Sequence, residues 1–216
     1  MVSLKTKNIP IIVLYIIVNL SILIALCKVE KVNELNFTYI FSKIKYFLEE
    51  KYIIYLIGLL LVFIFSGILP AKWKEMIVFW KIKNRLPGCY AFSKYAKEDN
   101  RIDLKLLESN YGVLPTDPRE QNELWYKIYK NLNDSEINDS HKNFLLAREI
   151  TVISFIGLIL IFPFLFLNYI CVFMFLFLLI EFIIFRIIAK NYAERFVTNV
   201  LAYESSRLYK EKKAQK

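Results

Sequence analysis

The chain has few of the residues that build metal centres and disulfide frameworks. Its 216 residues include one histidine and three cysteines. The single His141 excludes a histidine-rich metal site, and the spacing of Cys27, Cys89 and Cys171 contains no CxxC pair. Two of these cysteines lie at the edges of apolar segments, where cysteine serves as a small hydrophobic residue. The sequence therefore predicts neither a metal site nor a structural disulfide.

Sequence motifs for catalysis and cofactor binding are also lacking. The chain contains no GxGxxG, GxxxxGK[ST], HExxH or GxSxG sequence, which are signatures of nucleotide, zinc-protease and serine-hydrolase sites. A lone histidine at the start of a helix is more typical of a surface residue than of a catalytic base. We therefore predict that the protein is not an enzyme and holds no cofactor.

Long apolar segments, by contrast, are abundant. Hydrophobic residues make up 56% of the chain, and its mean hydropathy is +0.39. The longest segment, residues 150–188, would form a helix of about 58 Å, whereas a bilayer core is only about 30 Å thick. Asn168 and Tyr169 interrupt it near the middle. We predict a hairpin of two transmembrane helices that returns to the side on which it started.

Two further apolar segments precede this hairpin. Residues 9–27 follow two lysines, and residues 52–69 end at Pro70. The first segment also resembles a secretory signal, or a lipoprotein signal cleaved before Cys27. However, it is longer than a signal core, no A-x-A site follows it, and Leu26 stands where a small residue is needed. We predict that both segments are uncleaved spans, which makes four spans in all.

Amphipathic segments flank the predicted second span. Before it, residues 28–51 are typical of an interfacial helix, with apolar side chains at three- and four-residue spacing at Phe37, Ile40, Phe41, Ile44, Phe47 and Leu48. After it, residues 71–86 are predicted to form a helix that ends at Pro87. Aromatic and basic residues suit the lipid headgroup region, and we predict as membrane anchors Trp73, Trp80, Lys72, Lys74 and Lys81.

The segment 71–149 predicts a small helical domain. Asp103 is placed to cap a short helix that Gly112 ends, and Asp117, Pro118 and Glu120 form the start of another. The second helix has an apolar face at helical spacing, which consists of Leu124, Trp125, Ile128, Tyr129 and Leu132.

Two helices are expected to continue from this domain into the membrane. Residues 131–140 are rich in turn-forming residues and predict a loop, after which Ser140 caps a helix that runs into the third span. The fourth span is expected to continue as a long helix through 189–216. Its apolar stripe is predicted to pack against the domain and consists of Tyr192, Phe196, Val197, Val200, Leu201 and Tyr203.

The net charge of +9 fits membrane orientation better than nucleic acid binding. Segment 71–149 carries fourteen lysines and arginines against twelve acidic residues, so we expect no direct contact with nucleic acid. Basic residues near the predicted span ends share one side of the membrane, namely Lys5, Lys7, those within 72–85, Lys142, Arg148, Lys190 and Arg195. We predict a multi-pass protein of the plasma membrane, the inner membrane in a bacterium, with both termini and 71–149 in the cytoplasm.

Glu181 is the most unusual polar residue of the apolar segments. It lies about 18 Å into the predicted bilayer core, where an unpaired carboxylate costs about 2.5–3.5 kcal/mol on insertion scales. It is therefore expected to face inward, to be protonated or to be paired. The residues predicted to form intramembrane polar or subunit contacts are Asn19, Ser66, Glu181 and Arg186. The alternative is that Glu181 makes only a structural hydrogen bond near the interface.

The cytoplasmic segment offers candidates for ligand or partner binding. Residues 112–120, GVLPTDPRE, combine turn, cap and charge, and the exposed amides of a helix start suit an anion or a nucleotide. The alternative is that these residues only start a helix. The candidate residues are Arg101, Thr116, Asp117, Arg119 and His141.

The layout resembles the small four-span membrane subunits of bacterial anti-phage defence systems. We predict an all-α integral membrane protein with a two-span segment (1–70), a helical cytoplasmic domain (71–149), a transmembrane hairpin (150–188) and a C-terminal helix and tail (189–216). The resemblance implies an oligomeric sensor or effector whose cytoplasmic domain receives a protein partner or a nucleotide signal and whose spans perturb or report on the membrane. The alternatives are a constitutive channel or transporter subunit, and a scaffold that recruits a cytosolic enzyme.

Overall fold

The computed structural model describes residues 4–27, 67–132, 134–164 and 169–214, together with Leu61 and Ile64. Every regular element in these residues is helical. The predicted helix 28–51, Ser66 and Asn168 lie outside the described residues. The predicted second span, 52–69, is described only at a few positions near its end, so the count of four spans stays a prediction.

The N-terminal apolar segment is helical over the range that the sequence predicts. A single turn, α1 (Leu4–Lys7), precedes α2 (Ile9–Cys27). Asn8 between them is only 1% exposed, and its Nδ2 donates a 2.9 Å hydrogen bond to the carbonyl of Lys142. This bond ties the start of the chain to a segment 134 residues further on.

The helix after the second apolar segment is shorter than predicted. α3 (Ala71–Phe79) ends at Trp80, which has the left-handed conformation with φ 52° and donates its backbone N–H to Met76. The prediction of a helix to residue 86 is therefore wrong, and Pro87 instead opens a 3₁₀ turn. Positive φ is uncommon for a bulky residue. The guanidinium of Arg186 lies 3.6 Å from the centre of the Trp80 ring and stabilises the side chain in this position.

A compact helical unit follows, which we call the head and define as residues 87–137 together with 193–208. Its first part consists of a 3₁₀ turn (Pro87–Tyr90), a π-helical turn (Ala91–Tyr95) and the short α4 (Ala96–Glu98). Two longer helices complete it, α5 (Leu104–Tyr111) and α6 (Pro118–Asn131).

The predicted caps of these two helices are confirmed. Asp103 accepts a hydrogen bond from a backbone N–H in the first turn of α5, and Asp117 accepts from the backbone N–H groups of Arg119 and Glu120. Gly112 follows the end of α5 with φ 80°, a conformation that glycine adopts without a steric penalty.

α7 (Ser135–Ile161) begins earlier than predicted. Asp134 caps it, because its carboxylate accepts hydrogen bonds from two backbone N–H groups of the first turn. Ile137, only 2% exposed, anchors that turn in the core of the head. The predicted loop through residue 140 and the cap at Ser140 are therefore wrong, and the Ser140 hydroxyl instead accepts a hydrogen bond from Asn199.

α8 (Tyr169–Ala214) runs unbroken for 46 residues, which is about 69 Å at ~1.5 Å per residue. Its first half packs antiparallel to α7. The rings of Phe155 and Phe182 are 5.5 Å apart, and Leu158 shares an apolar cluster with Leu178. The predicted pairing of two apolar helices is therefore confirmed.

The second half of α8 completes the core of the head. Phe196, Val197, Val200 and Leu201 are buried there, as the sequence predicts, against residues that include Phe92, Leu107, Trp125, Ile128 and Ile137. Tyr203 is 41% exposed, so its predicted place on the packed stripe is wrong. The head is thus built from a middle segment of the chain and from its last helix.

Two of the described helices are long and apolar enough to cross a bilayer by length and composition, Ser135–Ile161 and Val172–Ala214. They differ in burial. In the most apolar stretch of 18 residues, 61% of the first helix is buried but only 22% of the second. A buried apolar helix is also found in the core of soluble proteins. An exposed one needs a partner or lipid to cover it.

Candidate functional site at the junction of the head and the apolar helices

A chain of polar side chains connects the three apolar helices α2, α7 and α8. The Tyr15 hydroxyl donates a 2.6 Å hydrogen bond to Oε2 of Glu181 and lies 2.9 Å from Oγ of Ser154. Ser154 in turn donates to the backbone carbonyl of Ile150, 2.9 Å away. Each helix therefore contributes one side chain to the cluster, which fixes how the three helices face one another.

Asn19 lies one helical turn from Tyr15 and on the same face of α2. Its Nδ2 donates to the Tyr15 carbonyl at 3.2 Å, while its Oδ1 is buried and has no hydrogen-bond partner among the described residues. The sequence offers Asn19, Ser66 or another subunit as the partner of Glu181. Asn19 does lie within reach of Glu181, and Tyr15 is the partner that the sequence misses. The four-residue spacing of Tyr15 and Asn19, which puts both side chains on one face of α2, was the available signal.

A buried ion pair connects α3 to α7 where the apolar helices meet the head. Nζ of Lys74 lies 2.5 Å from Oε2 of Glu149, and both side chains are less than 5% exposed. The second carboxylate oxygen of Glu149 accepts a 2.9 Å bond from Arg148. The sequence places Lys74 among the headgroup anchors, and the structure corrects this, because Glu149 holds the ammonium group inside the protein.

Small side chains allow the helices to approach each other closely beside this ion pair. Val78 of α3, Ala147 of α7 and Ala189 of α8 are all buried in one cluster. Ala189 has no exposed surface at all. The ion pair thus joins α3 to α7, and the apolar cluster beside it joins both of them to α8.

The other predicted membrane anchors lie on the surface. Trp73 and Trp80 are 54% and 66% exposed, and Lys72 and Lys81 are exposed as well. Nζ of Lys81 lies 4.6 Å from the centre of the Tyr90 ring. These four residues have the exposure that an anchoring role requires.

Arg186 turns towards α3. Its guanidinium lies over the ring of Trp80, and its buried Nε has no hydrogen-bond partner among the described residues. The contact joins α8 to the end of α3, and Arg186 therefore contributes to the same junction as the Lys74–Glu149 pair.

The residues predicted to bind a ligand or partner each make different contacts. Arg101 pairs with Asp99 and also reaches Asn199, and the Arg101 guanidinium lowers the pKa of Asp99. Asp117 is occupied as a helix cap, the backbone carbonyl of Thr116 accepts a hydrogen bond from the side-chain amide of Gln121, and Arg119 is exposed. Residues 117 and 118 start α6 as the capping pattern predicts, and a role of residues 112–120 in binding stays a prediction.

Gln121 is a central residue of the head that the sequence does not single out. It is 1% exposed, and its Oε1 accepts hydrogen bonds from the backbone N–H groups of Phe92 and Ser93 at 3.1 and 3.0 Å. Its Nε2 donates to the carbonyl of Thr116 at 2.9 Å. The side-chain amide of Gln121 thus forms hydrogen bonds with three backbone groups. Two of them belong to the π-helical turn, where the regular helical hydrogen bonds are interrupted.

Glu204 forms a second polar contact inside the head. It is 1% exposed and accepts a 2.5 Å hydrogen bond from the Tyr111 hydroxyl and a 2.6 Å bond from Arg207. Burial opposes ionisation of Glu204, but these hydrogen bonds prevail and lower its pKa. Burial and the bond to Glu204 together raise the pKa of Tyr111 to about 12.

His141, for which the sequence favours a surface position over a catalytic role, is half-buried and packs against aromatic rings. Its ring is parallel to that of Phe196, with centres 4.7 Å apart, and its Nδ1 lies 2.9 Å from the Tyr129 hydroxyl. Burial, together with the positive charges of Arg148 and Lys130, lowers the pKa of His141 to about 4. The imidazole is therefore neutral near pH 7 and acts as a packing and hydrogen-bonding group.

Comparisons with protein-family models, curated proteins and solved structures found no match for this chain. Within the described part of the chain, no three His, Cys, Asp or Glu side chains are grouped so as to hold a metal ion.

Proposed function

We propose that the protein is an integral membrane protein in which α2 and the apolar parts of α7 and α8, within residues 150–188, lie in the bilayer. The outer face of α8 supports this proposal. It carries a row of exposed apolar side chains at helical spacing, which are Val172, Phe173, Leu176, Ile180, Ile183, Ile184 and Ile187. Water-soluble surfaces rarely expose a continuous apolar row of this kind, whereas lipid covers it at no cost.

In this proposal the head and both termini lie in the cytoplasm, and residues 52–69 supply a fourth span. The packing of the head against the end of α8 supports a common compartment for the two. The bond from Asn8 to Lys142 supports the same compartment for the start of the chain. In this orientation the exposed Lys72 and Lys81 would lie on the cytoplasmic side, which agrees with the positive-inside rule.

The function that the junction supports best is that of a membrane sensor or effector. The observation that carries this proposal is that α7 and α8 each run without a break from the head into the apolar bundle. A ligand or cytosolic protein that shifts the two helices in the head would also shift them at Tyr15 and Glu181, because packed helices slide as rigid bodies. The spans of a homo-oligomer would then rearrange and perturb the membrane, with anti-phage defence as the proposed setting.

Membrane potential provides the test of the effector role. The full chain is expressed in a bacterial host, alone and together with its genomic neighbours, in the presence of a potential-sensitive dye. We expect depolarisation in at least one of these conditions, and its loss in Lys74→Met, which disconnects α3 from α7. Lys127→Met, at an exposed position of α6, is the control at equal protein level. If no condition depolarises the membrane, the effector role is overturned.

A further inference from the structure

An open apolar groove of about 560 Å³ lies between α3 and α7. No charged residue occurs among its described lining residues. One wall is the face of α3 with three- and four-residue spacing, and α7 forms part of the other, so that the walls include Trp73, Met76, Ile77, Trp80, Phe155 and Ile159. Both tryptophans and Ile159 are exposed. The described residues therefore leave a large apolar surface open at this place.

Arg186 brings an unpaired positive charge to the groove. Its guanidinium carbon lies 3.6 Å from the centre of the Trp80 ring, which lines the groove. Among the described residues none forms an ion pair or a hydrogen bond with this guanidinium, and only its Nε is buried, so the two terminal nitrogens remain accessible. An arginine near apolar surroundings normally meets an anion or reaches the lipid headgroups. Arg186 therefore lacks a counter-ion within the described part of the chain.

Two exposed lysines flank the same groove. Lys72 lies one helical turn before a lining residue of α3, and Lys81 directly follows Trp80. The one acidic residue of α3, Glu75, is paired with Arg85 at 3.3 Å. Together with the guanidinium described above, the rim of the groove thus carries three positive charges that no described carboxylate neutralises.

The depths of these residues match the parts of a phospholipid, if residues 150–188 cross the bilayer as proposed above. The inference rests on that part of the proposed function. Arg186 is two residues from the end of this apolar segment, whereas Phe155 and Ile159 are five and nine residues from its start. At ~1.5 Å per residue, Arg186 lies about 3 Å inside the apolar layer, and the two wall residues lie about 8 and 14 Å inside it. The charges are thus at the headgroup level and the groove is at the level of the acyl chains.

We propose that the groove is a binding site for an anionic phospholipid of the cytoplasmic leaflet. One acyl chain lies in the groove, and the phosphate pairs with Arg186 and with the lysines of the rim. Arginine binds phosphate oxygens through two parallel hydrogen bonds, and basic residues beside a span attract anionic lipids. A zwitterionic lipid could supply the same chain, but it would place a second cation beside three existing ones. Charge therefore favours an anionic headgroup.

Such a lipid would contact α3, α7 and α8 together, because the groove lies between the first two helices and Arg186 belongs to the third. These three helices also meet in the apolar cluster beside the Lys74–Glu149 pair. The bound lipid would therefore favour one arrangement of the junction over others. The lipid composition of the leaflet would thereby bias the contact between the head and the spans.

The test measures how brominated lipids quench the tryptophan fluorescence of the full chain in vesicles, since bromine quenches an indole ring on contact. Trp73 and Trp80 lie at the groove, whereas Trp125 is buried in the head, so the quenching reports on the groove. Brominated phosphatidylglycerol and brominated phosphatidylcholine with the same acyl chains are each titrated into unbrominated phosphatidylcholine. We expect the anionic lipid to bind about tenfold more strongly than the zwitterionic one.

Three variants assign this preference to the rim. Lys72→Gln and Arg186→Gln each remove one of its charges and should lower the preference about fivefold. Lys7→Gln should leave it unchanged, because this exposed lysine ends α1, which contributes no described residue to the groove. Circular dichroism shows whether the variants remain folded. Lys72 is exposed, so its variant tests the site even if Arg186→Gln does not fold.

The outcomes separate the lipid site from the membrane placement. The site is overturned, and the placement kept, if both brominated lipids quench equally. The same holds if folded Lys72→Gln retains the preference of the wild type, or if Lys7→Gln loses as much of it as Lys72→Gln. If neither brominated lipid quenches the fluorescence, the placement of the apolar helices in the bilayer is overturned, and the lipid site with it.

Discussion

The Tyr15 hydroxyl donates a 2.6 Å hydrogen bond to the Glu181 carboxylate and thereby connects two helices that are 166 residues apart in the sequence. Glu181 was expected to need a partner, because a carboxylate among apolar side chains is costly to leave unpaired. The partner comes from within the chain, so Glu181 is a structural contact here. Its predicted role at a contact between subunits stays a prediction.

Removing the Tyr15 hydroxyl should weaken the packing of α2 on the hairpin. In Tyr15→Phe the carboxylate of Glu181 loses its donor inside the bundle, which we expect to cost about 1–3 kcal/mol. Thermal unfolding in detergent measures the effect. Tyr209→Phe, at a 62% exposed position, should leave the unfolding temperature unchanged. Equal behaviour of the two variants would show that the hydrogen bond does not stabilise the bundle.

Breaking the Lys74–Glu149 pair should be more damaging than removing an exposed lysine. In Lys74→Met the carboxylate of Glu149, which is 3% exposed, loses its shortest contact. Removing one partner of a buried ion pair costs about 3–5 kcal/mol. Lys72→Met, at an exposed position of α3, should change stability by less than about 0.5 kcal/mol. Chemical denaturation of the purified variants gives both values. A small effect of Lys74→Met would contradict a stabilising role of the Lys74–Glu149 pair.

His141 should make the head less stable as the pH falls. Its pKa is about 4 in the folded protein and about 6.5 in an unfolded chain, so the unfolded chain binds the proton first between these values. Stability should therefore decrease from pH 6.5 to pH 4, by about 1–2 kcal/mol for this partly exposed ring, and His141→Gln should remove that part of the decrease.

The titration of His141 can be followed directly, because it is the only histidine in the chain. NMR of the imidazole in protein with labelled histidine should give an apparent pKa well below 6.5. A midpoint at or above 6.5 would contradict the burial of the ring between Tyr129 and Phe196.

Gln121 should be among the least replaceable residues of the head. Gln121→Leu keeps the size of the side chain but leaves the N–H groups of Phe92 and Ser93 and the carbonyl of Thr116 without their partner, and each loss costs about 1–3 kcal/mol. Glu123→Leu, an exposed position two residues further on, is the control. Denaturant unfolding of the two variants should differ by several kcal/mol, and similar midpoints would contradict this role.

The local features of the fold are those that the sequence predicts best. The caps at Asp103 and Asp117, the end of α5 at Gly112 and the buried face of α8 are each determined by residues close in sequence or by helical spacing. These signals act within a few residues, so the three-dimensional packing of the chain does not override them.

Two of the wrong predictions share one physical reason, which is that a distant contact decides the local structure. The polar residues 134–136 look like a loop, but burial of Ile137 in the head draws them into α7. Lys74 looks like a surface cation, but Glu149, 75 residues away, pairs with it. The junction depends on such pairs between distant residues, and a single sequence contains no signal for them.

The sidedness of the chain can be tested by cysteine labelling. In a background with the native cysteines changed to alanine, we expect Asn110→Cys in the head and Tyr209→Cys on α8 to react with an impermeant maleimide only after spheroplasts are permeabilised, because the head packs against the end of α8. Asn33→Cys, in the segment predicted to lie outside, should react before permeabilisation and is the control. Labelling of Asn110→Cys and Tyr209→Cys from opposite sides would contradict a hairpin in the membrane. Labelling of both from outside would keep the hairpin and reverse its orientation, since the packing of the head on α8 requires only that the two lie on the same side.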